Sequence, residues 1–148
     1  QLADGGTQIA FDPNHRDTLW DNAEIAKSVY RDIAPLLTFC LPTFDDEQRL
    51  FKDRDPTVTA TRWLDWGATE VIVKNGSKTA LLATPWEQSH SYPIPIERVV
   101  DTTAAGDAFN GSYLVRRLVG DPSRLAADAA HALAAQVIQH KGAIAPLA

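Results

Sequence analysis

The sequence predicts an α/β fold with a mostly parallel central sheet, and three observations predict it. Short apolar runs that suit buried strands alternate with amphipathic stretches of helical period, the rhythm of βαβ units. One hairpin-type dipeptide, Asn75-Gly76, breaks that rhythm and adds an antiparallel strand, so the sheet is mixed. Residues 99–111, Val-Val-Asp-Thr-Thr-Ala-Ala-Gly-Asp-Ala-Phe-Asn-Gly, compress a strand end, a small-residue turn and a helix start into a few positions.

Taken in order, residues 7–11 are a short strand candidate that stops at Asp12-Pro13. Residues 22–34 follow as a helix with Ile25, Val29 and Ile33 on one face and Asp21 or Asn22 as its cap. The apolar run 36–41, closed by Pro42, suits a strand buried on both faces. Residues 45–51 read as a short acidic helix. After the break at Asp55-Pro56, residues 58–66 form another helix that ends at Gly67. Strands over 70–74 and 79–84 flank the Asn75-Gly76 turn. Residues 88–96, interrupted by Pro93 and Pro95, read as an extended edge or loop leading into Val99-Val100. The chain is then helical from Gly106 to about Val119, stops at Gly120, and restarts with Asp121 as cap and Pro122 in the first helical position. Leu125, Ala129, Leu133 and Val137 line one face of this last helix, and residues 143–148 are a tail loop.

The 148 residues are 45% hydrophobic and 22% charged, enough for one domain with a sizeable core. The chain contains no Met, and residues 1–6 read as a helix tail running into Gly5-Gly6, so a missing N-terminal half is expected. A net charge of -5 without a Lys/Arg cluster beside the aromatics argues against nucleic-acid binding. No segment resembles a signal peptide and no apolar run approaches a membrane span, which makes a cytoplasmic setting the expectation and a membrane partner unexpected. Cys40, the single cysteine, lies in an apolar run and reads as a buried small hydrophobe. None of His15, His90, His131 and His140 has metal-ligand spacing, and surface placement is expected for them.

Chemistry concentrates in the 99–111 stretch. Ala104, Ala105 and Gly106 carry almost no side chain, so an anionic group can approach backbone N–H groups at a helix N-terminus. Asp107 falls in the first helical turn, projecting toward the same space. Taken alone, Gly106-Asp107 reads as a capped helix start. Together with an anion cradle, a carboxylate there fits phosphoryl transfer, in which it accepts the proton of the attacking hydroxyl. Asp12, Asn14 and Arg16 follow the first strand, where ligands gather in open α/β sheets. An aspartate directly after a strand also resembles the nucleophile of haloacid-dehalogenase-like phosphatases, although Asn14 stands where that class has its second acid.

The string Asp-Thr-Thr-Ala-Ala-Gly-Asp-Ala-Phe-Asn-Gly closely resembles the second motif of the ribokinase-like (PfkB) carbohydrate kinases. The resemblance runs over essentially the whole chain. It implies the C-terminal, nucleotide-binding half of a ribokinase-like three-layer αβα sandwich, with the N-terminal half and lid absent. In that family Asp107 would be the catalytic base, and the amides of Ala104, Ala105, Gly106 and Asp107 the anion hole. Asp101 and Thr103 would lie beside a monovalent-cation site, expected to hold K⁺. Phe11-Asp-Pro-Asn-His-Arg-Asp-Thr-Leu-Trp20 resembles the corresponding segment of 2-keto-3-deoxygluconate kinases and related fructokinases, which assigns Arg16 and Asn14 to substrate or phosphate. Lys74-Asn75-Gly76 resembles the Lys-x-Gly nucleotide loop, and His140-Lys141-Gly142-Ala143 the segment that completes the cation site and flanks the adenine. Where the family carries Asn-x-x-Glu, linked to Mg²⁺, this chain has Thr43 followed by Asp46 and Glu47.

The resemblance thus implies ATP, Mg²⁺ and K⁺ as cofactors, a sugar or sugar acid as substrate, and a full-length homodimer built through the lid. The isolated piece is expected to be inactive. Fructokinase or ribokinase activity, or a non-catalytic nucleotide-binding role, are the alternatives.

Overall fold

The computed structural model describes residues 6–146. The helix-tail reading of residues 1–6 therefore lies outside the described residues, Gly6 excepted, as does the end of the tail loop. The chain divides into two compact units: one runs up to Gly76 and includes Ala80–Ser89, the other comprises Ser77–Thr79 and the residues from His90 on.

In the first unit β1 (Ala10–Phe11), β2 (Phe39–Cys40) and β3 (Glu70–Val73) pair in parallel, with Phe11 beside Cys40 and Cys40 beside Val71. Beyond a connection of residues 74–79, whose turn falls on Gly76-Ser77 and not on Asn75-Gly76, β4 (Ala80–Ala83) runs antiparallel to β3. β5 (Gln88–Ser91) completes the order β1-β2-β3-β4-β5, a mixed five-stranded sheet. Strands β2, β3 and β4 are buried at every position, the mark of a sheet covered on both faces. The run 36–41 is less strand than its apolarity implied, because Pro35 turns residues 34–36 into a single 3-10 turn. Likewise only Ala10 and Phe11 of residues 7–11 enter the sheet.

The helices of this unit are α1 (Ala23–Ile33), α2 (Phe44–Phe51) and α3 (Pro56–Asp65). Asn22, not Asp21, caps α1 by accepting the Ile25 N–H at 3.0 Å, and Asp55 caps α3 through Val58 N–H at 3.0 Å with Pro56 in the first turn. The buried face of α1 is Ala26 and Tyr30, while Ile25 and Val29 are exposed, so the expected stripe is displaced around the helix by one position. Gly67 ends α3 at φ +106, and a Cβ there would lie 3.0 Å from Pro35 Cα, so only glycine fits. Tyr30, Trp63, Val71, Val73 and Leu81 lie at the centre of the core with Cys40, whose thiol burial pushes well above its ordinary range.

The second unit contains α4 (Ala105–Leu118) and α5 (Ser123–Val137), packed along each other. Three expectations fail here. Val99 and Val100 form no strand; instead the amides of Val100 and Asp101 both donate to the Ile138 carbonyl at the end of α5. Pro122, not Asp121, precedes α5, because the Asp121 carboxylate pairs with Arg116 at the end of α4. The buried residues of α5 are Ala126, Ala127, Ala130, His131, Ala135 and Val137, so of the expected stripe Val137 is buried while Leu125 is exposed. Small residues let the two helices approach closely, which a stripe of leucines would prevent. His131 packs edge-on against Phe109 at 5.0 Å, and burial holds its imidazole below the usual range. Among the described residues no helix is long and apolar enough to cross a membrane.

Candidate functional site

In the first unit the candidate site lies where the three parallel strands end. Asp12 follows β1, and Lys74 follows β3, bridging in parallel to Thr43 beyond β2. Asp12 Oδ1 accepts the Asn14 N–H at 3.0 Å, closing a turn that holds Asn14 at φ +37. Asp12 Oδ2 receives the Lys74 ammonium at 2.5 Å. The strained turn sends the next two side chains in opposite directions. His15 goes inward and is almost completely buried, against the expectation of a surface histidine. Its Nε2 meets Asp17 Oδ1 at 2.9 Å and its Nδ1 the Tyr30 hydroxyl at 3.1 Å, with the Trp20 ring stacked on it. Burial, reinforced by the negative Glu47, pushes Tyr30 up to about 12, and its hydroxyl also donates to the Pro13 carbonyl at 3.5 Å. Arg16 goes outward, exposed, and its carbonyl starts a single 3-10 turn over Asp17–Leu19. A groove of 530 Å³ runs beside it, lined by Phe11, Pro13, Asn14, Arg16, Trp20 and Tyr30.

The acids proposed as Mg²⁺-linked separate into different environments. Glu47 is turned into the core, where its Oε2 accepts from Arg62 at 2.6 Å and from Trp63 Nε1 at 3.1 Å. Desolvation raises its carboxyl although Arg62 opposes the shift. One oxygen of Glu47 is thus held inside the core by Arg62 and Trp63. Asp46 pairs with Arg49 through one oxygen. Thr43 begins α2 without a side-chain cap bond. Among the described residues no group of three or more His, Cys, Asp or Glu is arranged to hold a metal.

In the second unit the candidate site is the turn before α4. Asp101 accepts the Thr103 N–H through Oδ1 and the Gly142 N–H through Oδ2, both at 2.9 Å. Bonds from the Thr103 side chain and backbone, then from Gly142, hold its carboxyl at about 2, a fixed negative charge. That charge, with the loop of Gly142 at φ +85 tied to it, fits a monovalent cation. Ala104 takes the left-handed conformation at φ +62 and is the residue from which α4 starts, with no side chain capping the helix. The Ala105 N–H is already engaged by the Thr102 carbonyl at 3.2 Å, so of the four expected anion-hole amides those of Ala104, Gly106 and Asp107 remain for an anion. Asp107 is exposed in the first turn. Gly76, at φ +56, is exposed at the hairpin.

Residue patterns did not reveal the Lys74–Asp12 pair, because its partners are 62 positions apart, nor the burial of His15. Parallel strands ending level would have placed Lys74 and Asp12 at one edge, had the register been known.

The model of the pfkB family carbohydrate kinases matches residues 1–148. The 2-dehydro-3-deoxygluconokinase of Haemophilus influenzae is 41% identical over 145 residues, covering 97% of this chain and 46% of the relative's length. Its counterpart in Escherichia coli K12 is 37% identical over 147 residues, covering 97% and 47%. Among solved structures, Salmonella enterica aminoimidazole riboside kinase complexed with aminoimidazole riboside and an ATP analog superposes with a TM-score of 0.85 at 28% identity, covering 96% of this chain and 49% of that one. Vibrio cholerae fructokinase, in its fructose, ADP and potassium ion bound form, gives 0.85 at 26% identity, covering 97% and 48%. A putative ribokinase II of Escherichia coli in complex with ATP and Mg²⁺ gives 0.83 at 28%, covering 96% and 46%. The chain therefore spans about half the length of the curated relatives it matches; that share does not carry the C-terminal placement expected from the sequence. With the phosphate-type turn before α4, the ribokinase-like fold and a match along its whole length, this chain belongs to the pfkB family of carbohydrate kinases.

Proposed function

We propose that the protein carrying this chain is an ATP-dependent kinase that phosphorylates a hydroxyl of 2-dehydro-3-deoxygluconate, also called 2-keto-3-deoxygluconate. The observation that carries the kinase assignment is the uncapped N-terminus of α4, with Asp107 in its first turn and Ala104 turned left-handed before it. There the amides of Ala104, Gly106 and Asp107 hold the transferring phosphate, and Asp107 accepts the proton of the attacking hydroxyl. Mg²⁺, when bound, neutralises phosphate charge; Asp46 is the residue of this chain suited to its water shell. Asp101, which orders the turn by accepting the Thr103 N–H, would hold K⁺ together with the Thr103 carbonyl, and the cation would supply positive charge beside the amides.

Relatives 37–41% identical that bear the 2-dehydro-3-deoxygluconokinase name, and Arg16, support this choice of substrate. Its exposed guanidinium can bind a sugar-acid carboxylate through two parallel N–H bonds, a match that a neutral ketose does not offer. Phosphorylation assays on the full-length kinase with 2-dehydro-3-deoxygluconate, fructose and ribose test both levels. The highest kcat/KM is expected for the sugar acid. A preference for fructose or ribose removes the substrate assignment, and ATP binding without phosphate transfer to any sugar removes the kinase assignment.

A further inference from the structure

Lys74 sits in a sequence context that resembles a nucleotide loop, yet its side chain does other work. Its N–H donates to the Pro42 carbonyl and its own carbonyl accepts the Phe44 N–H, both at 2.8 Å, so the residue is locked in the sheet ahead of the turn. The side chain is 9% exposed, and its ammonium lies at 2.5 Å from Asp12, crossing from the end of β3 to the end of β1. A buried ammonium is costly unless an anion compensates it, and Asp12 does so here. The other Asp12 oxygen caps the Asn14 N–H, and Asn14 is held at φ +37, a conformation that a non-glycine residue keeps only with local support. From that turn His15 enters the core and Arg16 leaves it.

We propose that Lys74 is a positioning residue for Arg16, acting through Asp12, and not a ligand of the nucleotide. It fixes the carboxylate that shapes the turn and cancels a negative charge that would otherwise stand beside an anionic substrate. The consequence for catalysis rests on the kinase assignment above; the structural coupling does not.

Two measurements test the two levels separately. The first is native-state trypsin cleavage of the full-length protein at the Arg16–Asp17 bond, which reports local opening of the loop. Lys74→Met should speed cleavage there about tenfold or more, with cleavage after the other Lys and Arg residues unchanged, the bond after residue 74 itself excepted because the substitution removes that site. Lys74→Arg, which keeps the charge, should restore slow cleavage. Should Lys74→Met not fold, the double variant Asp12→Asn with Lys74→Met replaces it. By removing both charges, this variant should fold and cleave more slowly than Lys74→Met. The second measurement is steady-state kinetics of the full-length kinase. Lys74→Met should raise KM for the sugar acid about tenfold or more while leaving kcat and ATP affinity within about twofold. Unchanged cleavage at Arg16, or a double variant worse than either single one, would overturn the coupling. Weakened ATP binding with an unchanged sugar KM would return Lys74 to the nucleotide. A full-length protein that phosphorylates no sugar would refute the kinase assignment while leaving the cleavage result to decide the coupling.

Discussion

The carboxylate of Asp101 reaches 41 residues along the chain to accept the Gly142 N–H at 2.9 Å, while its other oxygen accepts from Thr103. One side chain thus ties the turn before α4 to the loop after α5. The bonds exist only with the ionised acid, which is why its carboxyl is held at about 2. Because the folded value lies below the unfolded one, the contribution to stability is complete above about pH 4 and is lost as pH falls through the folded value. The Thr103 and Gly142 amide proton shifts should titrate together with a midpoint near that value. The stability gap between the native chain and Asp101→Asn should shrink as pH drops from 5 to about 2. A midpoint at the ordinary carboxylate value, or a gap independent of pH, would show that these bonds are not formed.

Local signals carried much of this fold. Asn22 and Asp55 act as caps because an N-cap needs only a side-chain oxygen three residues from a free amide. Asn75-Gly76 marked the reversal into an antiparallel strand, although the turn itself falls on Gly76-Ser77 with Gly76 at φ +56. What stayed hidden depends on distant partners. Asp121 looks like a cap until Arg116 is seen beside it, and Glu47 looks like a surface acid until Arg62 and Trp63 are found around it. Val99-Val100 has strand propensity but no neighbouring strand, and the Ile138 carbonyl satisfies its backbone instead. At the site, the α4 turn was legible as a contiguous motif, whereas the Lys74–Asp12 pair required the register of three strands.

The Arg62 guanidinium joins Glu47 and Asp53, all largely buried, and lies 3.6 Å from the centre of the Phe51 ring. Arg62→Ala leaves two buried carboxylates without a counter-charge and should lower stability by about 3–5 kcal/mol in urea unfolding. Glu47→Gln should cost much less, because burial already disfavours the charged form of that acid. Equal losses for the two variants would contradict this arrangement.

Ala104 carries a Cβ at φ +62, where an L-residue is strained and glycine is not. Ala104→Gly should relieve more strain than it adds unfolded-state entropy, for a net gain of about 0.5–1 kcal/mol, or a melting temperature higher by a few degrees. A lower melting temperature would mean that residue 104 is not left-handed in solution.

The central claim is that Asp107, in the first turn of α4, is the base of a phosphoryl transfer. The most direct test is the kcat of Asp107→Asn in the full-length kinase, measured together with its ATP dissociation constant. The substitution keeps the size and removes the base, so kcat should fall by about 10²–10⁴-fold with ATP binding unchanged. A near-native kcat would contradict the account and leave Asp107 as an acid placed only to meet the helix dipole.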